Sequence, residues 1–240
     1  MLTASIERWA AWAPGLENAD EWDRWCRAPA PLGADGAPPL ASVPPLLRRR
    51  CSRLTRMALE AAFRCVSDED MGRVTTVFAS RHGDAASNVS LLESLARGEP
   101  LSPTRFSHSV HNAPAGLFSI AAGNRRPSAS VAAARGTFPC GYLESISMLT
   151  RHPESPVLFV MADEPLPPTL AAFRDEPPGA YALALLMVPG GEVDFRPAMA
   201  GERASRREWP DALEFLRWWR AGGPSMTLSA VASAWTWSRR

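Results

Sequence analysis

The chain has 240 residues, of which 46% are hydrophobic and 21% charged, and its formal net charge is +1. That length can bury one substantial core, and the composition is that of an ordinary globular protein. A charge so near zero gives no global field toward nucleic acid or an anionic membrane, and no apolar run approaches the roughly 20 residues that span a bilayer.

All basic side chains other than histidine are arginine, because the sequence contains no lysine. Schiff-base chemistry on a lysine is therefore excluded. The four cysteines, Cys26, Cys51, Cys65 and Cys140, are scattered without a CxxC pair. This spacing argues against a zinc site or a disulfide framework and for reduced thiols in the cytoplasm. No metal or cofactor is expected. The first dozen residues lack a basic segment followed by an apolar one, so they do not read as a signal peptide.

In chain order, residues 2–12 are expected to form an edge strand, with Ile6 and Trp9 among the apolar positions. Residues 27–45, rich in proline, glycine and alanine, should be loop. From 46 to 65 the pattern turns helical, since Leu47, Leu54, Ala58, Ala61 and Cys65 recur at spacings of three, four and seven. Arg48, Arg49, Arg50, Arg53 and Arg56 mostly occupy its other side. The run VTTVFAS at 74–80 is a buried strand, and 86–96 a short helix stopped by Gly98 and Pro100. After a loop at 101–107, residues 110–122 read as helix despite Pro114, and 128–133 as a strand of small residues.

Residues 139–150 form a helix with the stripe Tyr142, Leu143, Ile146 and Leu149, and Pro139 suits its first turn. The runs VLFVMA at 157–162 and YALALLMV at 181–188 are strands, the first apolar enough to be buried on both sheet faces. A helix at 211–220, a break at Gly222-Gly223-Pro224 and one strand at 226–237 end the chain. This alternation predicts a layered α/β domain without internal repeat or linker.

The segment 112–138 reads NAPAGLFSIAAGNRRPSASVAAARGTF. It resembles the central motif of β-ketoacyl synthases, in which an Asn-x-x-Ala-Gly helix precedes a Gly-x-x-x-Pro-Ser turn, a short strand and an Ala-Cys nucleophile elbow. Asn112, Ala115, Gly116, Gly123, Pro127, Ser128, Ser130 and Ala134 fall in register without a gap. At the next position, where the family keeps its cysteine, stands Arg135. The run VLFVMADE at 157–164 is similar to the family strand that follows the nucleophile helix. The resemblance covers about residues 46–188. FASRHGD at 78–84, the segment 98–113 and the tryptophan-rich tail look most like short synthase-like proteins related to chain-length factors, found beside aryl polyene and polyketide gene sets.

The resemblance implies half of a thiolase-like (ketosynthase) fold, layered α-β-α, over one N-terminal-type domain at 1–240. Two departures from an active synthase bear on chemistry. A guanidinium stays protonated and cannot form the acyl thioester that condensation needs. The two histidines that active members use come from a second half, whereas His82, His108, His111 and His152 all precede Val157. Condensation by this chain alone is not expected. The implied role is a non-catalytic partner in a heterodimer with a full-length β-ketoacyl synthase in fatty-acid, aryl polyene or polyketide biosynthesis. Phe106, His108, Val110, His111, Asn112 and Phe138 are the candidates for the tunnel and interface.

Plainer readings stand beside these. Arg135 either plugs the vanished site, or pairs with a carboxylate, a subunit interface being one place for that pair, or is a solvated remnant. Cys140, five positions on, is a substitute nucleophile or a small core residue. His111 with Ser107, Ser109 or Cys140 would suit an independent acyl-transferase or thioesterase, and otherwise His111 is structural. His82 and Asp84 flank Gly83 in what reads as a turn. The arginines between 48 and 56 either meet the acidic surface of an acyl carrier protein or form a solvated face. Trp209, Trp218, Trp219, Trp235 and Trp237 cap a partner surface or pack into the core. A purely structural scaffold for the synthase is the third functional class.

Overall fold

A computed structural model describes residues 2–175, 177, 179–198, 208–229 and 233–240. In chain order its elements are β1 (Leu2–Trp12), α1 (Ala19–Arg27), α2 (Pro45–Arg48), α3 (Arg53–Cys65), β2 (Thr75–Ala79), α4 (Ala85–Ala96), α5 (Pro103–Ser107) and α6 (Ala113–Ala122). There follow β3 (Ser128–Val131), a 3-10 turn (Ala134–Gly136), α7 (Thr137–Arg151), β4 (Val157–Asp163) and a 3-10 turn (Pro168–Phe173). The remainder is β5 (Tyr181–Ala198), α8 (Asp211–Ala221), β6 (Ser225–Ser229) and β7 (Ala234–Arg239).

All seven strands share one mixed sheet, ordered β3-β2-β4-β5-β7-β6, with β1 paired to β5. β2 runs parallel to both β3 and β4, with Thr76 opposite Ser128 and Thr75 opposite Val157. The other pairings are antiparallel. β5 continues well past the predicted strand at 181–188. Its residues 181–187 pair with β4 and 193–198 with β7, while β1 runs along both stretches. Between the two stretches Gly190 lets β5 lie close to β1, because a side chain there would run into Ser5. The expected strand at 226–237 is a hairpin instead, β6 paired with β7, with its turn outside the described residues.

Side-chain parity divides the core into two layers, as strand geometry requires. Val157, Phe159, Met161, Leu183 and Leu185 face α7, α8 and α1. Leu158, Val160, Ala182, Ala184 and Leu186 face α3 and α6. Both faces of β4 and of the first half of β5 are therefore covered, which explains their nearly continuous apolarity. The result is the expected α-β-α layering. α7 lies close on the sheet: a Cβ added at Gly141 would stand 2.6 Å from Phe159 Cε2 and 3.2 Å from Ala79 Cβ.

The helix expected over 46–65 is two. α2 ends at Arg48, and Ser52 starts α3 by accepting a hydrogen bond from the Thr55 N–H at 3.2 Å. Arg48, Arg53 and Arg56 do not form a solvated stripe. Arg48 donates to the carbonyls of Pro39 and Leu40 (3.3 and 3.4 Å) and Arg53 to that of Gly36 (2.7 Å), so both fasten the preceding loop, while Arg56 donates to the Arg48 carbonyl at the end of α2 (3.3 Å). Arg49 and Arg50 remain exposed. Two further helices fall where none was expected. α1 is started by the reciprocal Asn18–Glu21 capping box, and α5 occupies part of the predicted loop at 101–107. Pro114 is compatible with α6 because it sits in the first turn, where its missing N–H has no partner to lose.

The tail tryptophans belong to the core. Trp237 is fully buried against Phe138, Tyr142, Phe195 and Phe215, and Trp219 is buried beside Trp9. Trp209 meets Trp25 of α1 edge to face, with centroids 4.9 Å apart.

Candidate functional site

The parallel strands β2, β3 and β4 all end on one side of the sheet, the side where open α/β sheets bind ligands. Ser80 and Arg81 follow β2, Asp163 ends β4, and the chain turns sharply after β3 into α7. That turn places Arg135 at the strand-to-helix bend. Ala134, with φ of +48°, takes a left-handed conformation costly for a residue with a side chain. The bend is held by Thr137, whose hydroxyl donates to the Ala134 carbonyl at 2.8 Å and accepts from the Ala133 N–H at 3.0 Å.

Arg135 is paired. Its Nε donates to Asp175 Oδ2 at 2.8 Å, and Arg81 Nη2 donates to the same oxygen at 2.7 Å. Of the readings weighed for Arg135, the structure has the one in which it meets a carboxylate, and that carboxylate lies in its own chain. Burial acts against ionisation of Asp175, but the hydrogen bonds from Arg81 and Arg135 outweigh it and hold the carboxyl below its ordinary range. Asp163 Oδ1 accepts from Ser80 Oγ (2.8 Å) and from the Arg81 N–H (2.9 Å), which fixes the turn after β2. Two small cavities adjoin these groups. One of about 10 Å³ lies between Arg81, Arg135, Phe138 and Tyr181, and one of about 50 Å³ between His82, Glu164, Arg174 and Asp175. Both are far below the roughly 300 Å³ of a small-molecule pocket.

Cys140 lies half-buried in the first turns of α7, near Gly136. Burial pushes its thiol up, away from the thiolate that a nucleophile requires. His111 Nε2 is hydrogen-bonded to the Ser80 carbonyl at 2.8 Å. The hydroxyls of Ser107 and Ser109 donate to the carbonyls of Thr104 and Phe106 (3.0 and 2.8 Å), so neither serine is joined to His111. His82 and Asp84 do not pair; Asp84 caps α4 through the Ser87 N–H at 3.0 Å, and burial lowers the His82 pKa.

Among the tunnel and interface candidates, Phe106, Val110 and Asn112 are exposed and His108 and His111 half-buried. Phe138 is 1% exposed and packs against Tyr142, Phe159, Phe215 and Trp237, so its ring fills this chain's own core. Leu92, Leu95 and Ile120 join Phe106 and Val110 as exposed large hydrophobic residues on and between α4 and α6. Beside them β3 pairs only with β2 among the described residues, leaving its outer edge open.

Sequence reasoning missed Arg81, Asp163, Asp175 and Glu164. The available signal was position, because Arg81 and Asp163 directly follow or end apolar strands. Glu164 is nearly buried, and its carboxyl is raised to about 7, first by burial and then by Asp84, with Arg53 at 3.7 Å acting against both.

The family model described as beta-ketoacyl synthase, N-terminal domain, matches residues 22–238. The chain belongs to this β-ketoacyl synthase family. A chain of the ketosynthase (ApeO) in complex with its chain length factor (ApeC) from Xenorhabdus doucetiae is 30% identical, with a TM-score of 0.82 and 100% of both chains covered. The ishigamide ketosynthase/chain length factor is 18% identical, with a TM-score of 0.63 over 92% of this chain and 74% of that one. A β-ketoacyl synthase from Burkholderia phymatum STM815 is 14% identical, with a TM-score of 0.63 over 93% and 71%. The last two share the fold. No curated protein matches in sequence. The layered sheet is thus that of a thiolase-like synthase half, and among the described residues no helix is long and apolar enough to cross a membrane.

Proposed function

We propose that this chain is a non-catalytic synthase-like subunit, a chain-length factor, that pairs with an active β-ketoacyl synthase. The carrying observation is Arg135. It stands at the bend where the family keeps its thiol, tied to Asp175 beside a cavity of about 10 Å³. A protonated guanidinium supplies neither a nucleophile nor a base, so acyl transfer falls to the partner.

The pairing surface is the open edge of β3 with the apolar side chains of α4 to α6. An edge strand presents unpaired backbone groups that a second strand satisfies, and Phe106, Val110 and Ile120 supply apolar area. In the complex Phe106, His108 and Val110 bound the growing acyl chain and limit its length, in a pathway of the aryl polyene or polyketide kind. The setting is cytoplasmic, and an acyl carrier protein delivers substrate to the partner. The X. doucetiae structure, a ketosynthase with its chain length factor, supports this reading by likeness.

The test is co-production with the ketosynthase of the same gene neighbourhood. The two should co-purify, and products should shorten or lengthen when Phe106 and Val110 are enlarged or reduced. Separate elution together with unchanged product lengths would refute the proposal.

A further inference from the structure

Residues 36–59 hold five arginines and no aspartate or glutamate, in a chain whose formal net charge is +1. Three of these arginines are engaged inside the chain. Arg48 and Arg53 donate to carbonyls of the loop before α2, and Arg56 to the Arg48 carbonyl. Leu40, Val43 and Cys51 are buried on either side of α2 in the sequence, so the short turn is fixed to the body. Arg49 and Arg50 are different. Both are exposed, and the side chain of neither makes a hydrogen bond or ion pair among the described residues. Helical geometry continues through Arg49, whose N–H donates to the Pro45 carbonyl at 3.1 Å. Spacings of three and four therefore put Leu46, Arg49 and Arg50 on one face, and Leu46 is 77% exposed. The acids bordering the stretch are Asp35 and Glu60, and Glu60 is paired with Arg64 at 2.6 Å. Glu164 faces Arg53 at 3.7 Å. That contact sets the start of α3 beside the end of β4, at the end of the sheet that also carries the bend with Arg135.

A single exposed leucine is ordinary on a protein surface. What sets this one apart is its place on a fixed turn beside two unpaired guanidiniums, which loses little freedom when a partner binds. Guanidinium groups match carboxylates in shape and charge. Of the 26 basic and 25 acidic residues, five basic ones fall in this stretch, so the rest of the chain is acidic on balance. That balance opposes a broad anionic surface such as a membrane or nucleic acid and favours a partner that meets the patch alone. We infer that Leu46, Arg49 and Arg50 form a docking surface for an acidic helix with an apolar side chain at its centre, borne by the protein that delivers acyl groups to the pair. The inference rests on the proposed pairing with a ketosynthase and adds that this chain itself takes part in receiving the carrier. Arg48, Arg53 and Arg56 position the surface, and Arg49 and Arg50 make the contact.

Charge reversal tests it, with the acyl carrier protein encoded beside the ketosynthase as the probe. The double variant Arg49→Glu/Arg50→Glu should melt as the wild type does and pair with the ketosynthase equally well, because both side chains are exposed and without partners. Affinity of the carrier for the wild-type pair should fall at least about tenfold between roughly 0.05 and 0.5 M salt. At low salt a pair made with the double variant, or with Leu46→Asp, should bind the carrier at least about tenfold more weakly. Equal affinity for all three pairs would overturn the inference. So would binding of the wild-type chain to phosphatidylglycerol vesicles in preference to the carrier. Should no pair form with the ketosynthase, the proposed function itself falls, and the lone chain then decides the docking surface. Carrier binding at low salt that the double variant loses supports it, and no such binding overturns it.

Discussion

Arg135 Nε lies 2.8 Å from Asp175 Oδ2, although α7 and β4 separate the two residues in the chain. The pair fastens the segment after β4 over the bend, and Arg81 reinforces it from the end of β2 on the same oxygen. Arg135 is 42% exposed and Arg81 only 8%. Screening by water holds the Arg135 share to under about 1 kcal/mol. Asp175→Ala, which removes the anchor of both guanidiniums, should therefore lower the melting temperature more than Arg135→Ala. Amide exchange over 164–175 should quicken in both variants. An equal melting shift would mean that Arg81 gains nothing from Asp175.

Gly141 is the point at which α7 touches the sheet. Replacing an interior helix glycine by alanine ordinarily stabilises by about 1 kcal/mol. Here the added methyl meets the Phe159 ring at 2.6 and 2.9 Å and Ala79 at 3.2 Å, and overpacking of this kind costs about 1–3 kcal/mol. Gly141→Ala should come out destabilised by about 1 kcal/mol or more in urea denaturation.

The Tyr142 hydroxyl is buried among Phe138, Phe159, Phe195, Phe215 and Trp237 without a hydrogen-bond partner among the described residues. Burial pushes the phenol well above its ordinary range, so it stays protonated. An unpaired buried hydroxyl costs about 1–3 kcal/mol, and phenylalanine keeps the ring contacts. Tyr142→Phe should leave stability unchanged or raise it by about 1 kcal/mol. A clear loss would reveal a partner for the hydroxyl.

Glu164 carries a pH dependence. Its carboxyl titrates near 4.5 in the unfolded chain and near 7 in the fold, where burial is the main cause and Asp84 the next. The folded state holds this proton more tightly, so the group's contribution is full below pH 4.5, is lost as pH rises toward 7, and is level above. The loss is at most about 3 kcal/mol. Glu164→Gln should remove it, so the variant's stability relative to wild type should be about 2 kcal/mol better at pH 8 than at pH 4.5. The same relative stability at both pH values would contradict the buried titration.

Much of this was legible from residues 74 to 188. β2, β4 and the first half of β5 announced themselves because burial on both faces demands unbroken apolar runs. The stripe of α7 showed because one face alone is buried. Arg135 was placed by the register of a gapless motif. What stayed hidden depends on distant or competing partners. Arg81 and Asp175 meet across 94 positions, which no local pattern encodes. Arg48 and Arg53 looked like part of a solvated face because the carbonyls they bind belong to a loop without a pattern of its own. α1 was signalled only by its capping box, and the tail hairpin was read as one strand because apolar residues continue on both sides of its turn.

The most direct test is intact-mass measurement of the purified complex with its ketosynthase after incubation with an acyl thioester. The account predicts a covalent acyl increment on the ketosynthase and none on this chain, with the same result for Cys140→Ser. An acyl increment on this chain, incubated alone or in the complex, would contradict it.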